Sequence, residues 1–132
     1  MPSCVLRIAG STQKVKKFLA TSSFAPASIY YKGEPHLIKS RGHYKISGFN
    51  LLLSETDGMS KQAHGAVRFI KLHKKEFDRL RRFKFKEAII DFGLYDLASK
   101  KYPWPTYSLP KNLVLLAATY GFDIELSFYG KP

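Results

Sequence analysis

A change of hydrophobic period near Phe83 does most to limit the fold. Upstream, Ala63, Ala66, Val67, Ile70, His73, Phe77 and Leu80 fall within one broad arc of a helical wheel at about 100° per residue. Downstream, Phe83 and Phe85 alternate with Lys84 and Lys86, and Glu87–Leu94 reads as a strand with Ala88, Ile90 and Phe92 on one face. A long amphipathic helix running into a half-buried strand must cover its apolar stripe by folding against a sheet. The turn "TDGMS" precedes this helix, with Ser60 as its capping residue.

The other segments fit the same plan. Cys4–Ala9 has strand character from Val5, Ile8 and Ala9, and Gly10 ends it. Ser11 or Thr12 caps a short helix whose Val15, Phe18 and Leu19 share a face, while Lys14, Lys16 and Lys17 stay wet. Strands are expected near Ser28–Lys32 and, after the turn signal "KGEP", from Tyr44 to Leu53. Gly48 inside that second region marks a bulge or a close backbone approach. Near the end, Ser108 caps a helix carrying Leu113, Leu116, Ala117 and Tyr120, with Gly121 just past its last turn. Asp123–Tyr129 alternates Ile124, Leu126 and Phe128 with polar residues, as a strand buried on one face does. The order β-α-β-β-α-β, then α-β, begins as a ferredoxin-like split βαβ unit. The expected class is an α+β two-layer sandwich on a mainly antiparallel sheet, one domain over residues 1–132.

The chain length permits a real core, since a domain of 132 residues buries roughly two-thirds of its unfolded surface. No apolar run approaches the roughly 20 residues of a membrane helix, so no membrane association is expected. The opening "MPSCVLRIAG" lacks the pattern of a signal peptide. Cys4 is the one cysteine, which fits a reducing, cytoplasmic setting.

Charge is the strongest pointer to function. The formal net charge is +12, and it is unevenly spread. Residues 1–70 hold ten basic and three acidic side chains, residues 71–86 eight and two, and residues 87–132 four and five. Such a balance favours acidic partners. Within "KLHKKEFDRLRRFKFK", extended upstream by one turn, Arg68, Lys71, Lys75, Arg79 and Arg82 fall in an arc of about 80° on one continuous helix, nearly opposite its apolar face. The stripe is a candidate surface for nucleic acid or an acidic protein, although a solvated helix face is the commoner outcome for charge runs. Asp78 is expected to pair with Arg82, and Lys74 and Arg81 fall inside the apolar arc.

Catalytic signals are few. His36, His43, His64 and His73 form no HExxH, and Cys4 has no partner at zinc spacing, so no metal or cofactor is expected. No GxGxxG, GxxxxGK[ST] or G-x-S-x-G occurs. Asp91, Asp96, Asp123 and Glu125 belong to the C-terminal strand region and could approach one another, but alternating polar residues are also what a half-buried strand requires. In "YPWPTY", Tyr102, Trp104 and Tyr107 stand among stiff prolines as a partner-contact loop. The competing and favoured expectation is that Trp104 folds back as a lid, because a lone Trp in a small domain is usually largely buried.

"LRIAG", "KGEP", "SGFNLLLSE" and the tail "SLPKNLVLLAATYGFDIELSFYG" together resemble the bacterial domain-of-unknown-function 4279 family over most of the chain. Phe49 stands where that family commonly has Trp. The resemblance implies a small bacterial α+β protein and brings no activity, cofactor or catalytic residue. A role akin to that of toxin-immunity proteins is compatible with it. The leading expectation is a non-enzymatic binding module whose basic helix face engages an acidic macromolecule. An immunity or inhibitor protein with one specific protein partner is the alternative, and an enzyme using strand carboxylates is the least supported class.

Overall fold

In a computed structural model, residues 2–131 are described. The chain runs β1 (Cys4–Gly10), α1 (Thr12–Ala20), β2 (Ser28–Tyr30), β3 (Ser47–Ser54), α2 (Met59–Leu72), α3 (Lys74–Phe83), β4 (Glu87–Leu94), α4 (Lys111–Tyr120) and β5 (Asp123–Phe128). The strands form one five-stranded sheet in the order β2-β3-β1-β4-β5. The pairs β2/β3, β3/β1 and β1/β4 are antiparallel, and β4/β5 is parallel. The class is therefore α+β, with an open, mostly antiparallel mixed sheet.

Strand alternation sets the two faces. Cys4, Leu6 and Ile8 of β1 stand level with Phe92, Ile90 and Ala88 of β4, and all but Ala88 are fully buried. On this side α1 and α2 pack against β1 and β3, and α4 packs against β5. The helix α3 completes the helical side by contacting α1, α2 and, over part of its length, α4. On the other side Val5, Arg7 and Asn50 remain half-buried. The edge strand β5 lies where helical cover ends, so Leu126 and Phe128 stay 36% and 51% exposed rather than buried as their alternation suggested.

The long helix is two helices. His73 leaves helical geometry at φ −110° and ψ 33°, closing α2 through its N–H to the Phe69 carbonyl at 3.1 Å. Its own carbonyl then accepts from Glu76 and Phe77, both at 3.0 Å, and so starts α3. Phe24, from the segment after α1, lies against the junction with ring distances of 6.2, 6.0 and 5.2 Å to Phe69, His73 and Phe77. The junction aims Phe77 at Tyr120 and Phe122 of the α4 region.

Several local expectations differ in detail. The Ser11 hydroxyl accepts from the Lys14 N–H at 3.2 Å, as an N-cap should. Neither Ser60 nor Ser108 caps a helix: Gly58 and Pro110 occupy those positions without a side-chain bond. Gly121 ends α4 in the left-handed region at φ 74°. At Gly48 the backbone approach is close, since a Cβ there would lie 2.3 Å from the Ile8 carbonyl oxygen and 2.5 Å from the Tyr30 hydroxyl. The strand expected over Ser28–Lys32 stops at Tyr30, and a loop with a single Pro35–His43 bridge leads to β3.

Candidate functional site

The junction at His73 divides the basic stripe. Arg68 and Lys71 stay exposed on α2, beside a hollow of about 380 Å³ shared with His64, Val67, Leu72 and Asn112. Lys75 is exposed in the first turn of α3, and Arg82 is exposed near its end. Arg79 turns inward instead. Its Nη1 meets Glu76 Oε1 at 3.0 Å, and its Nη2 donates to the Phe18 carbonyl at 3.1 Å and to the Thr21 hydroxyl. The guanidinium lies 4.6 Å from the Phe18 ring centre and 5.3 Å from that of Phe83. Arg79 is thus a strut between α3 and α1, and the five cations do not share one face.

Asp78 does not pair with Arg82 within ion-pair distance. It takes Lys74 Nζ at 2.7 Å and accepts from the Tyr120 hydroxyl at 3.0 Å. Lys74 holds the carboxyl of Asp78 below its ordinary range, and Asp78 raises Lys74 in return. Burial, then the bond to Asp78, raises Tyr120.

A different group of cations comes together. Gly10, Ser11 and Thr12, the turn from β1 into α1, line a hollow of about 240 Å³ with Lys32, Lys45, Ile46 and Lys86. No carboxylate lines it. Two of the lining residues are tied by the buried Ser47 hydroxyl, which meets the Thr12 hydroxyl at 2.6 Å and accepts from the Lys32 N–H at 2.9 Å. Lys84 ends α3 in the left-handed region, at φ 50° and ψ 58°, and its carbonyl accepts Lys14 Nζ at 3.2 Å. Lys14, Lys32, Lys45, Lys84 and Lys86 are all exposed. Sequence reading missed this group because its members belong to three separate segments, α1, the 31–46 loop and the connection between α3 and β4. No local signal could have found it, since what joins the segments is the register of the strand ends, with Ala9 opposite Glu87 and Gly10 opposite Ser47.

The strand carboxylates meet an arginine. Asp91 and Glu125 are in register on β4 and β5. Arg7 Nη2 reaches Glu125 Oε2 at 2.5 Å and Asp91 Oδ2 at 3.7 Å, and the Ser127 hydroxyl donates to Asp91 Oδ1 at 2.6 Å. Asp96 instead accepts from the Ala98 N–H, and Asp123 is exposed at the start of β5. No histidine contacts the Arg7 group by hydrogen bond or ion pair among the described residues, so these carboxylates have ion-pair geometry rather than an acid–base partner. Arg7 also borders a concavity of about 650 Å³ under the 31–46 loop, where Tyr44 stacks on Tyr30 at 4.6 Å and lies tilted against His36 at 4.5 Å. Burial, and next the charge of Glu87, raises Tyr30. Cys4 is fully buried, and burial holds its thiol far above the ordinary range. Such a thiol is no nucleophile at neutral pH. Among the described residues no group of three or more His, Cys, Asp or Glu could hold a metal ion, and no helix is long and apolar enough to cross a membrane.

The aromatic loop is the second candidate surface. Trp104 is 88% exposed and Tyr102 63% exposed, so the lid expectation for Trp104 is overturned. The prolines hold the indole away from the core, which is already filled by phenylalanines of α1, β3 and α3. Tyr107 alone packs inward, with its ring 5.4 Å from Phe128 and its hydroxyl donating to the Tyr95 carbonyl at 3.0 Å. Compared with family models, curated proteins and solved structures, the chain matches none. Function must therefore be argued from the chain's own surfaces, and of these the lysine group around Gly10–Thr12 has the least ambiguous electrostatics.

Proposed function

We propose that this protein is a non-enzymatic binding module that engages the phosphates of nucleic acid through Lys14, Lys32, Lys45, Lys84 and Lys86. One observation carries the reading: the exposed Lys32, Lys45 and Lys86 line a hollow with no carboxylate, and the equally exposed Lys14 is tied to the Lys84 carbonyl two residues before Lys86. A surface that is merely solvated mixes signs. Arg82, near the end of α3, lines a neighbouring cleft together with Lys84, while Arg68 and Lys71 stand apart on α2. The strand order β2-β3-β1-β4, antiparallel throughout, supports describing residues 4–94 as a ferredoxin-like unit extended by α4 and β5. No family model matches the chain, so the proposal rests on this surface alone.

Salt dependence tests it. If all five lysines touch duplex phosphates, log affinity falls with log salt at a slope of about −4.5. Fluorescence anisotropy with a labelled DNA duplex, titrated between about 50 and 200 mM salt, reads that slope. Lys14→Gln, Lys45→Gln and Lys86→Gln together should flatten it by about 3, one unit per lost contact. Arg68→Gln with Lys71→Gln should change it little. A flat salt dependence in the wild type, or an unchanged slope in the triple variant, overturns the proposal.

A second reading rests on the exposed Trp104 and Tyr102. Aromatic side chains held in the open by prolines suit contact with a protein, as in an immunity or inhibitor role. The net positive charge argues against a nuclease as that target, since nucleases present basic clefts. Purification without nuclease treatment separates the readings: nucleic acid travels with the protein in the first, one stoichiometric acidic protein in the second.

A further inference from the structure

The helical layer is not closed. The helices α3 and α4 meet at Phe77, Asp78 and Tyr120, and beyond that contact, toward both C-terminal ends, a cleft of about 470 Å³ opens between them. Its floor is core: Ile8 of β1, Leu80 of α3, Ala88 of β4 and Phe122. Phe85 forms a wall, and Ala118 and Thr119 on α4 form the opposite lip. Arg81, Arg82 and Lys84 make up the charged part of the rim, and no carboxylate lines it. None of these three cations has an ion-pair partner among the described residues. Asp78, the acid nearest to them on α3, is already held by Lys74 and Tyr120.

We propose that this cleft binds a small amphipathic anion, an unbranched medium-chain carboxylate in its simplest form. The volume lies within the range of about 300–1,000 Å³ typical of small-molecule sites. Hydrocarbon laid in the cleft would cover the half-buried Phe85 and Ala88 and the exposed Ala118, while Ile8 and Leu80 beneath are already out of water. The rim decides the sign of the headgroup. Two helix C-termini bring roughly half a negative charge each. Three full positive charges outweigh them, so the rim favours an anion over a cation or a neutral head. The site is distinct from the lysine group around Gly10–Thr12, sharing only Lys84 with it.

Isothermal titration with decanoate tests the proposal. Saturable binding of one decanoate per chain is expected, with octanoate roughly tenfold weaker because it lacks two methylenes. Acetate and decyltrimethylammonium should not bind. Arg81→Gln with Arg82→Gln should weaken decanoate at least tenfold, about the worth of one charge-assisted contact. Ala118→Trp, at an exposed helix position, should block the cleft while circular dichroism and DNA affinity stay unchanged. Methyl shifts of Ile8 and Ala88 on addition of decanoate would locate the chain on the floor. The proposal fails if decyltrimethylammonium binds as tightly as decanoate, if no decanoate binds, or if Ala118→Trp leaves binding intact. Loss of DNA binding in the lysine triple variant with decanoate binding retained would separate the two sites.

Discussion

Arg79 is a cation that folding consumes. By spacing it belongs with Lys75 and Arg82, and a helical wheel has no means of turning it inward. What turns it is the junction at His73 and the arrival of α1, whose Phe18 carbonyl and Thr21 hydroxyl accept from the guanidinium. Arg79→Ala should destabilise the protein by about 2–3 kcal/mol, from lost charge-assisted bonds and an uncompensated Glu76. Arg79→Lys should recover only part, because an ammonium cannot fork between the carboxylate and the carbonyl. Urea midpoints measure both, and the salt slope of DNA binding should stay at the wild-type value. A slope reduced by Arg79→Ala in a folded variant would return Arg79 to the binding surface. Gly48 is the opposite case, legible from the sequence as a bulge or a close approach, and the structure shows the close approach. Gly48→Ala should cost about 2 kcal/mol or more, because its Cβ meets strand backbone that cannot move aside. An unchanged urea midpoint would show that β1 and β3 can part at that point.

Element types were legible because period and length are local properties. The strands β1, β4 and β5 lie where alternation puts them, α1 begins at its Ser11 cap, and α4 ends at Gly121 as expected, although it starts after Pro110 and not at Ser108. The break between α2 and α3 was not legible, since no Pro or Gly marks residues 72–74. It depends on Phe24, remote in sequence, whose ring packs on Phe69, His73 and Phe77. Phe24→Ala should therefore destabilise by about 2 kcal/mol, below the 3–5 of a fully buried Phe because Phe24 is half-buried. Hydrogen exchange should quicken at the amides of residues 73–77 more than elsewhere in α2 and α3. Uniform quickening would mean that Phe24 supports the core in general and not the junction. The loop holding Trp104 was read correctly as a loop from its prolines, but its orientation depends on whether the core has room. As the single tryptophan, Trp104 should show the emission and full acrylamide quenching of a water-exposed indole. A shielded, blue-shifted emission would restore the lid.

At the scale of the molecule, strand order is what local pattern withholds, and strand order assembles the candidate site. The sequence showed a positive balance and its regional density. It did not show that the end of β1, the start of β4 and the loop before β3 bring Lys45 and Lys86 beside α1, because register is a long-range property. The same sheet fixes how stability responds to alkali. Burial raises Cys4 and Tyr30, burial and the bond to Asp78 raise Tyr120, and the bond to Asp78 raises Lys74. Each of these groups keeps its proton longer in the folded chain than in the unfolded one. The unfolded state then binds fewer protons at high pH, and stability falls as pH rises. Cys4 acts first, since an unfolded thiol titrates near about 8.5 and tyrosine and lysine only near about 10. Between about pH 8.5 and 9.5 unfolding free energy should decline by up to roughly 1.4 kcal/mol per pH unit, and most of that slope should vanish in Cys4→Ala. The variant loses some core packing, so the slope and not the absolute stability is the quantity to compare. In the native protein the thiol should resist alkylation and react once urea unfolds the chain. Equal slopes for wild type and Cys4→Ala, or rapid native alkylation, would mean that water reaches the start of β1 and that the core around Cys4 and Phe92 is looser than its packing indicates.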